Sequence, residues 1–188
     1  MYKLKYQGVF DIPEGDGTCV ITLTDMNEKR SFAVLAERKN ALELKDHFNT
    51  EVDTSRRLVD VLCRMIGERW NDYYIRLEGM HDRGFKTFLC NQESGTEVPI
   101  HPDEAVLLSQ MAQIEICASL ETFQKYSMPF DRNVQTVALP ILGLPNSLLE
   151  KALEKAVSEE NYESASFIRD EINRRKKEAT RSTDDLPF

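Results

Sequence analysis

A histidine and two acidic residues occur close together in the segment HPDE. His101, Asp103 and Glu104 follow a short strand-like run and precede a helical one, so they are predicted to lie where a strand meets a helix. Two carboxylates at such a junction can hold a divalent cation, and a histidine beside them can act as a general base or a phosphate ligand in phosphodiester cleavage. Acidic residues in a first helical turn also stabilise the helix dipole without any catalytic role, and the sequence leaves this alternative open.

Four basic residues are candidates for contacts with nucleic-acid phosphates: Arg38, Lys39, Arg56 and Arg57. Arg56 and Arg57 follow the segment DTS, which offers N-caps for a helix, and backbone N–H groups at a helix N-terminus favour anions. The alternative is an ordinary solvated surface, or ion pairs with Asp53 and Asp60. The sequence supports either interpretation.

The overall charge argues against a dedicated DNA-binding module. The 188 residues carry 24 Lys and Arg against 32 Asp and Glu, which gives a formal net charge of −8. A protein face that binds DNA through its phosphates is typically basic. Any contact with nucleic acid is therefore expected in a local groove, where binding is weak and sensitive to salt.

Cysteine usage favours a reduced compartment. The cysteines stand far apart in apolar stretches and form no CxxC pair, which is typical of free thiols that pack as small hydrophobes. The segment MYKLKYQGVF lacks the apolar region of a signal peptide, and no apolar run approaches the roughly 20 residues that span a bilayer. We therefore expect a cytoplasmic protein.

Strand-like and helix-like patterns are mixed along residues 1–126. Two pairs of β-rich runs predict hairpins: Thr18–Met26 with Arg30–Ala36, and DYYIRLEGM with GFKTFLCN. Four apolar residues recur at the spacing of one helical face: Leu58, Val61, Leu62 and Met65. Because hairpins replace a regular alternation of strands and helices, we predict an α+β fold with a mostly antiparallel sheet and packed helices. An α-helical hairpin is predicted to follow at the C-terminal end.

Three motifs in residues 18–126 resemble those of the bifunctional nuclease domain of bacteria and plants. HPDEAVLLS is similar to the family's RPSDAI-x-LA, with His101 and Asp103 in place of the arginine and the serine. SFAVLAERK is similar to LPI-x-IG-x-x-E, with Lys39 at the acidic position. VDTSRRLVDVL is similar to RPLTHDL, with Ser55 and Arg56 in place of the His-Asp pair, or Arg56 and Arg57 if the register slides by one.

This resemblance implies metal-assisted hydrolysis of phosphodiester bonds in DNA, RNA or both. His101, Asp103 and Glu104 would be the catalytic residues, Asp103 and Glu104 the candidate metal ligands, and Mg²⁺ or Mn²⁺ the cofactor. Several positions of the family's motifs carry other residue types in this chain. The alternative is therefore a non-catalytic adaptor or regulatory protein with an eroded nuclease-like site.

The segment LEKALEKAVSEENYESASFIRDEINR, Leu149–Arg174, resembles the UVR motif of the UvrB and UvrC repair proteins, a short helical hairpin. Asn161 is placed to cap the second helix. Two short amphipathic helices bury too little apolar surface to be very stable alone, so a hairpin of this kind favours a partner. The resemblance implies a protein–protein contact, often with another such hairpin, through six residues: Leu153, Tyr162, Ala165, Ile168, Arg169 and Asp170.

These patterns divide the chain into four segments. Residues 1–126 form the predicted nuclease-like domain, 127–146 an apolar connector with prolines, 147–178 the UVR-like hairpin and 179–188 a flexible tail. The connector is too apolar to be left in water, so we expect it to pack on its own domain or on a neighbouring subunit, which favours a homodimer. The apolar stripe of the hairpin is expected to meet within the hairpin and at a protein partner or second copy. The alternative is that the second helix docks on the body of the protein.

Overall fold

The computed structural model describes residues 1–12, 17–81, 84–130, 144 and 146–184. Eight of its strands form one sheet with the order β6-β5-β4-β7-β1-β2-β3-β8. The strands are β1 (Tyr2–Asp11), β2 (Thr18–Asp25), β3 (Arg30–Glu37), β4 (Tyr73–His81), β5 (Gly84–Asn91), β6 (Glu97–Pro99), β7 (Glu115–Ala118) and β8 (Met128–Pro129). Every described pair of neighbouring strands is antiparallel except β4 and β7, which run parallel. The predicted α+β fold with a mostly antiparallel sheet is confirmed.

The helices fall into two groups along the chain. The first group comprises α1 (Arg38–His47), α2 (Leu58–Ile66), α3 (Pro102–Ala112) and α4 (Leu120–Tyr126), with a short 3-10 helix at Gly67–Asp72 after α2. The second group comprises α5 (Asn146–Ser158) and α6 (Tyr162–Asp184), which pack on each other as the predicted C-terminal helical hairpin. Among the described helices, none combines the length and the apolar character needed to cross a membrane.

Both predicted β-hairpins are present. In the first, β2 pairs with β3, and the Asp25 carboxylate closes the turn by accepting hydrogen bonds from the backbone N–H groups of Lys29 and Arg30, each at 2.8 Å. In the second, β4 pairs with β5. Residues 82 and 83 of that predicted turn lie outside the described residues. Short polar side chains in turns commonly bond the backbone a few residues on, which explains why Asp25 fits this position.

The main core lies where α1 and α3 pack against the sheet. Strand β2 is at its centre, and its six residues from Cys19 to Thr24 are all buried. Leu44 on α1 and Val106 on α3 are fully buried in the same apolar cluster as Ile21 and Leu23. Each fully buried side chain of this size contributes roughly 1.5–3 kcal/mol relative to its exposed state. This cluster therefore holds α1 and α3 against the sheet.

The predicted connector begins inside the sheet. Met128 pairs with Ser31, so β8 forms the edge strand beside β3. The Arg30 guanidinium strengthens this junction by donating from Nε to the Ser127 hydroxyl at 2.6 Å. Residues 131–143 and 145 lie outside the described residues, and the predicted packing of the apolar connector falls on them.

The helical hairpin has an apolar cluster of its own. Six residues form it: Leu144, Leu149, Ala156, Ala165, Ile168 and Ile172. Within the part of the chain that the structure describes, this cluster shares no member with the main core. The backbone N–H of Asn161 bonds the Ala156 carbonyl at 2.9 Å, and Glu160 between the helices has a φ of 56°. This is the left-handed ending that commonly terminates a helix, and it sets the reversal between α5 and α6.

Candidate functional site

The three candidate catalytic residues lie at the start of α3, as their sequence pattern predicts. His101 is the N-cap residue with extended backbone, Pro102 is the first helical residue, and Asp103 and Glu104 occupy the first turn. Proline suits this position because its missing N–H has no partner to lose, and its φ matches the helix. The local sequence His101-Pro102 therefore accounts for the start of α3 after β6.

Asp103 is buried, and its carboxylate is occupied by hydrogen bonds within the body. Only 7% of the residue is exposed. Its Oδ2 accepts from the Glu37 backbone N–H at 3.0 Å and from the Asn40 side-chain amide at 2.9 Å, and its Oδ1 accepts from the Glu104 N–H at 3.0 Å. Asp103 thus joins the start of α3 to the start of α1. A buried carboxylate requires such donors, because leaving it without them would be costly.

His101 and Glu104 face a cleft that Asp103 does not line. The cleft has a volume of about 640 Å³ and lies between β5 and the start of α3. Lys86 and Phe88 of β5 belong to its wall. The structure therefore brings two of the three predicted catalytic residues to one surface, together with a lysine that the sequence pattern did not single out.

The predicted metal ligands do not fit a shared cation in this arrangement. Both oxygens of Asp103 accept hydrogen bonds, so binding a cation would take the carboxylate away from the donors that join α1 to α3. Over the described residues, no group of three or more His, Cys, Asp or Glu side chains is placed to hold a metal ion. Metal assistance stays a prediction that the geometry around Asp103 does not support.

The four candidate phosphate-binding residues do not share one environment. Arg57 is the N-cap residue of α2, and its Nη2 pairs with the Asp46 carboxylate at 2.6 Å. Arg56 is exposed beside it, and Arg38 and Lys39 are exposed in the first turn of α1. The sequence left an ion pair open as the alternative, and Arg57 forms one, although with Asp46 and not with Asp53 or Asp60.

The six predicted partner-binding residues divide between the inside and the outside of the hairpin. Ala165 and Ile168 are buried in its apolar cluster, and Leu153 packs against that cluster. The other three predicted residues, Tyr162, Arg169 and Asp170, are exposed on α6. The first group therefore holds the hairpin together, and the second group is available to another molecule.

The sequence analysis missed a buried ion pair at the base of the hairpin. Glu171 and Arg175 lie one turn apart on α6, with side chains only 5% and 8% exposed, and Arg175 Nε donates to Glu171 at 2.8 Å. Arg175 also donates to the Leu144 carbonyl at 2.6 Å and to Asn146 Oδ1 at 3.1 Å. It thereby links α6 to the chain entering α5. The four-residue spacing indicated an ion pair, but nothing in the pattern indicated its burial.

Burial and charge act in opposite directions on Glu171. Desolvation raises the pKa of its carboxyl, but hydrogen bonds and charges from Arg174 and Arg175 lower it, and the net result is a pKa below the ordinary value.

The N-cap of α6 is formed by Asn161, because the Ser164 N–H donates to Asn161 Oδ1 at 3.1 Å. The predicted N-cap at Asn161 is confirmed.

Comparison with known proteins identifies the hairpin. The family model described as the UvrB/uvrC motif, UVR, matches residues 147–178, which cover α5 except its first residue and most of α6. No curated protein matches the chain. The structure is thus an α+β protein that carries a UVR helical hairpin, and this motif indicates a protein-interaction or DNA-repair-related role.

Proposed function

We propose that this chain is an adaptor-type interaction protein whose UVR hairpin contacts another protein, while the α+β body carries the hairpin. The proposal rests on one observation: the hairpin has an apolar cluster separate from the main core, and its outer surface exposes polar and aromatic residues. Ala165 and Ile168 belong to the core, and Tyr162, Arg169 and Asp170 to the surface. A helix that served only to close the body would direct its apolar stripe at the main core.

The small size of the hairpin core gives a physical reason for a partner. Six residues form its cluster, and two of them are alanines. Helices in proteins gain most of their stability from packing of an amphipathic face, so apolar area buried against a partner adds a large fraction to the stability that this small cluster provides. Exposed Tyr162 supplies both apolar area and a hydroxyl, which is the combination enriched at protein interfaces.

Site-specific photo-cross-linking in the producing cells tests this function. A photoreactive amino acid at Tyr162 is expected to give a discrete cross-linked product, and Arg169→Glu in the same chain is expected to remove it. The matched control places the photoreactive residue at Val98, which is exposed on β6 of the body. Equal products from both positions, or none from Tyr162, would count against a hairpin interface.

A second candidate function is phosphodiester hydrolysis at the cleft beside α3. The observation that favours it is that His101, Glu104 and Lys86 line the same cleft. A histidine and a carboxylate can move protons at a phosphodiester, and a lysine can stabilise the phosphate charge. DNA or RNA is the substrate class that this arrangement suits.

Cleavage assays with matched variants separate the two candidates. If the cleft is catalytic, His101→Ala and Glu104→Gln should each lower cleavage of DNA or RNA at least about 100-fold without changing the melting temperature. Asp103→Asn should instead lower stability, because Asp103 accepts two hydrogen bonds that join the start of α3 to the start of α1. If the wild-type protein cleaves neither DNA nor RNA in the presence of Mg²⁺ or Mn²⁺, phosphodiester hydrolysis is excluded and the interaction function is the one that is retained.

A further inference from the structure

We draw no further inference here: the strongest candidate, the exposed apolar face that Leu58, Leu62 and Met65 form on α2, carries nothing because no residue that the structure describes shows what covers it.

Discussion

The body and the hairpin of this protein are stabilised in different ways. The body buries a large apolar cluster between an eight-stranded sheet and its helices, and the buried carboxylate of Asp103 accepts hydrogen bonds only from uncharged N–H groups. The hairpin buries six apolar residues and adds a buried ion pair, Glu171 with Arg175. Buried polar groups thus link elements in both regions, but the link in the hairpin joins two charged side chains around a much smaller apolar cluster. We infer that each region unfolds by its own mechanism and responds to its own mutations.

The largest effect is expected from Arg175→Met, which removes the charge but keeps an apolar side chain. Arg174 still bonds Glu171 in this variant, but the buried ion pair and the links from α6 to Leu144 and Asn146 are lost, and breaking a buried pair typically costs about 3–5 kcal/mol. We expect the hairpin to lose helicity while the body stays folded. Circular dichroism reports the helices, and fluorescence of the single tryptophan, Trp70, reports the body.

The matched control for this variant is Arg169→Met, since Arg169 is exposed on the same helix. It is expected to leave the melting of the hairpin unchanged. Simultaneous loss of the circular dichroism and fluorescence signals in Arg175→Met would contradict separate stabilisation of the two regions.

Leu44→Ala should affect the opposite region. Leu44 is fully buried in the main core, and truncations of this type cost about 2–5 kcal/mol. Urea unfolding followed by Trp70 fluorescence is expected to show a lower midpoint with the helicity of the hairpin preserved. The control is Leu42→Ala on the same helix, which removes an exposed side chain. A shift of the midpoint as large as that of Leu44→Ala would show that burial does not determine the size of the effect.

Acid should weaken the hairpin through Glu171. The pKa of Glu171 is lower in the folded hairpin than its ordinary value, so the unfolded state binds more protons as the solution is acidified. The stabilisation is complete above the ordinary carboxyl range near about 4.3 and is lost as the pH falls through the lower folded pKa. Circular dichroism melts across this range are expected to show the loss. A Glu171→Gln variant is expected to show a flatter profile, and an unaltered profile would exclude this carboxyl as the cause.

The smallest expected effect is a gain from Glu160→Gly. Glu160 has a φ of 56°, a conformation that costs an L-residue about 1 kcal/mol and a glycine little. The melting temperature of the hairpin is therefore expected to rise slightly. Glu159→Gly, one residue earlier, provides the control and is expected to give no gain. A loss of stability at residue 160 would mean that the Glu160 side chain makes a contribution larger than its backbone strain.

The sequence predicted local structure well because local patterns determine it. Alternation and turn residues located the β2–β3 and β4–β5 hairpins, and helical spacing with Asn161 located the start of α6. Pairing between distant segments was not predictable in this way. The parallel pairing of β4 with β7 has no local signal, because the residues of one strand do not indicate which other strand will pair with it.

The candidate site shows the same limit. The acidic residues of HPDE were placed correctly at the start of α3, but their different environments depend on distant partners. Asp103 is bonded by Glu37 and Asn40, which precede it by 66 and 63 residues. Periodicity likewise identified an apolar face of α2, but it could not show that Leu58 and Met65 on this face are exposed to solvent. The burial of a residue depends on which distant elements pack against it, and the local pattern of a single sequence does not specify them.

Hydrogen exchange on the full chain, measured residue by residue, tests most directly whether the hairpin is stabilised separately from the body. We expect two groups of opening free energies, a lower one for amides of α5 and α6 and a higher one for the central strands. Arg175→Met is expected to lower only the first group. A single common opening free energy for both regions, lowered everywhere by Arg175→Met, would contradict the account.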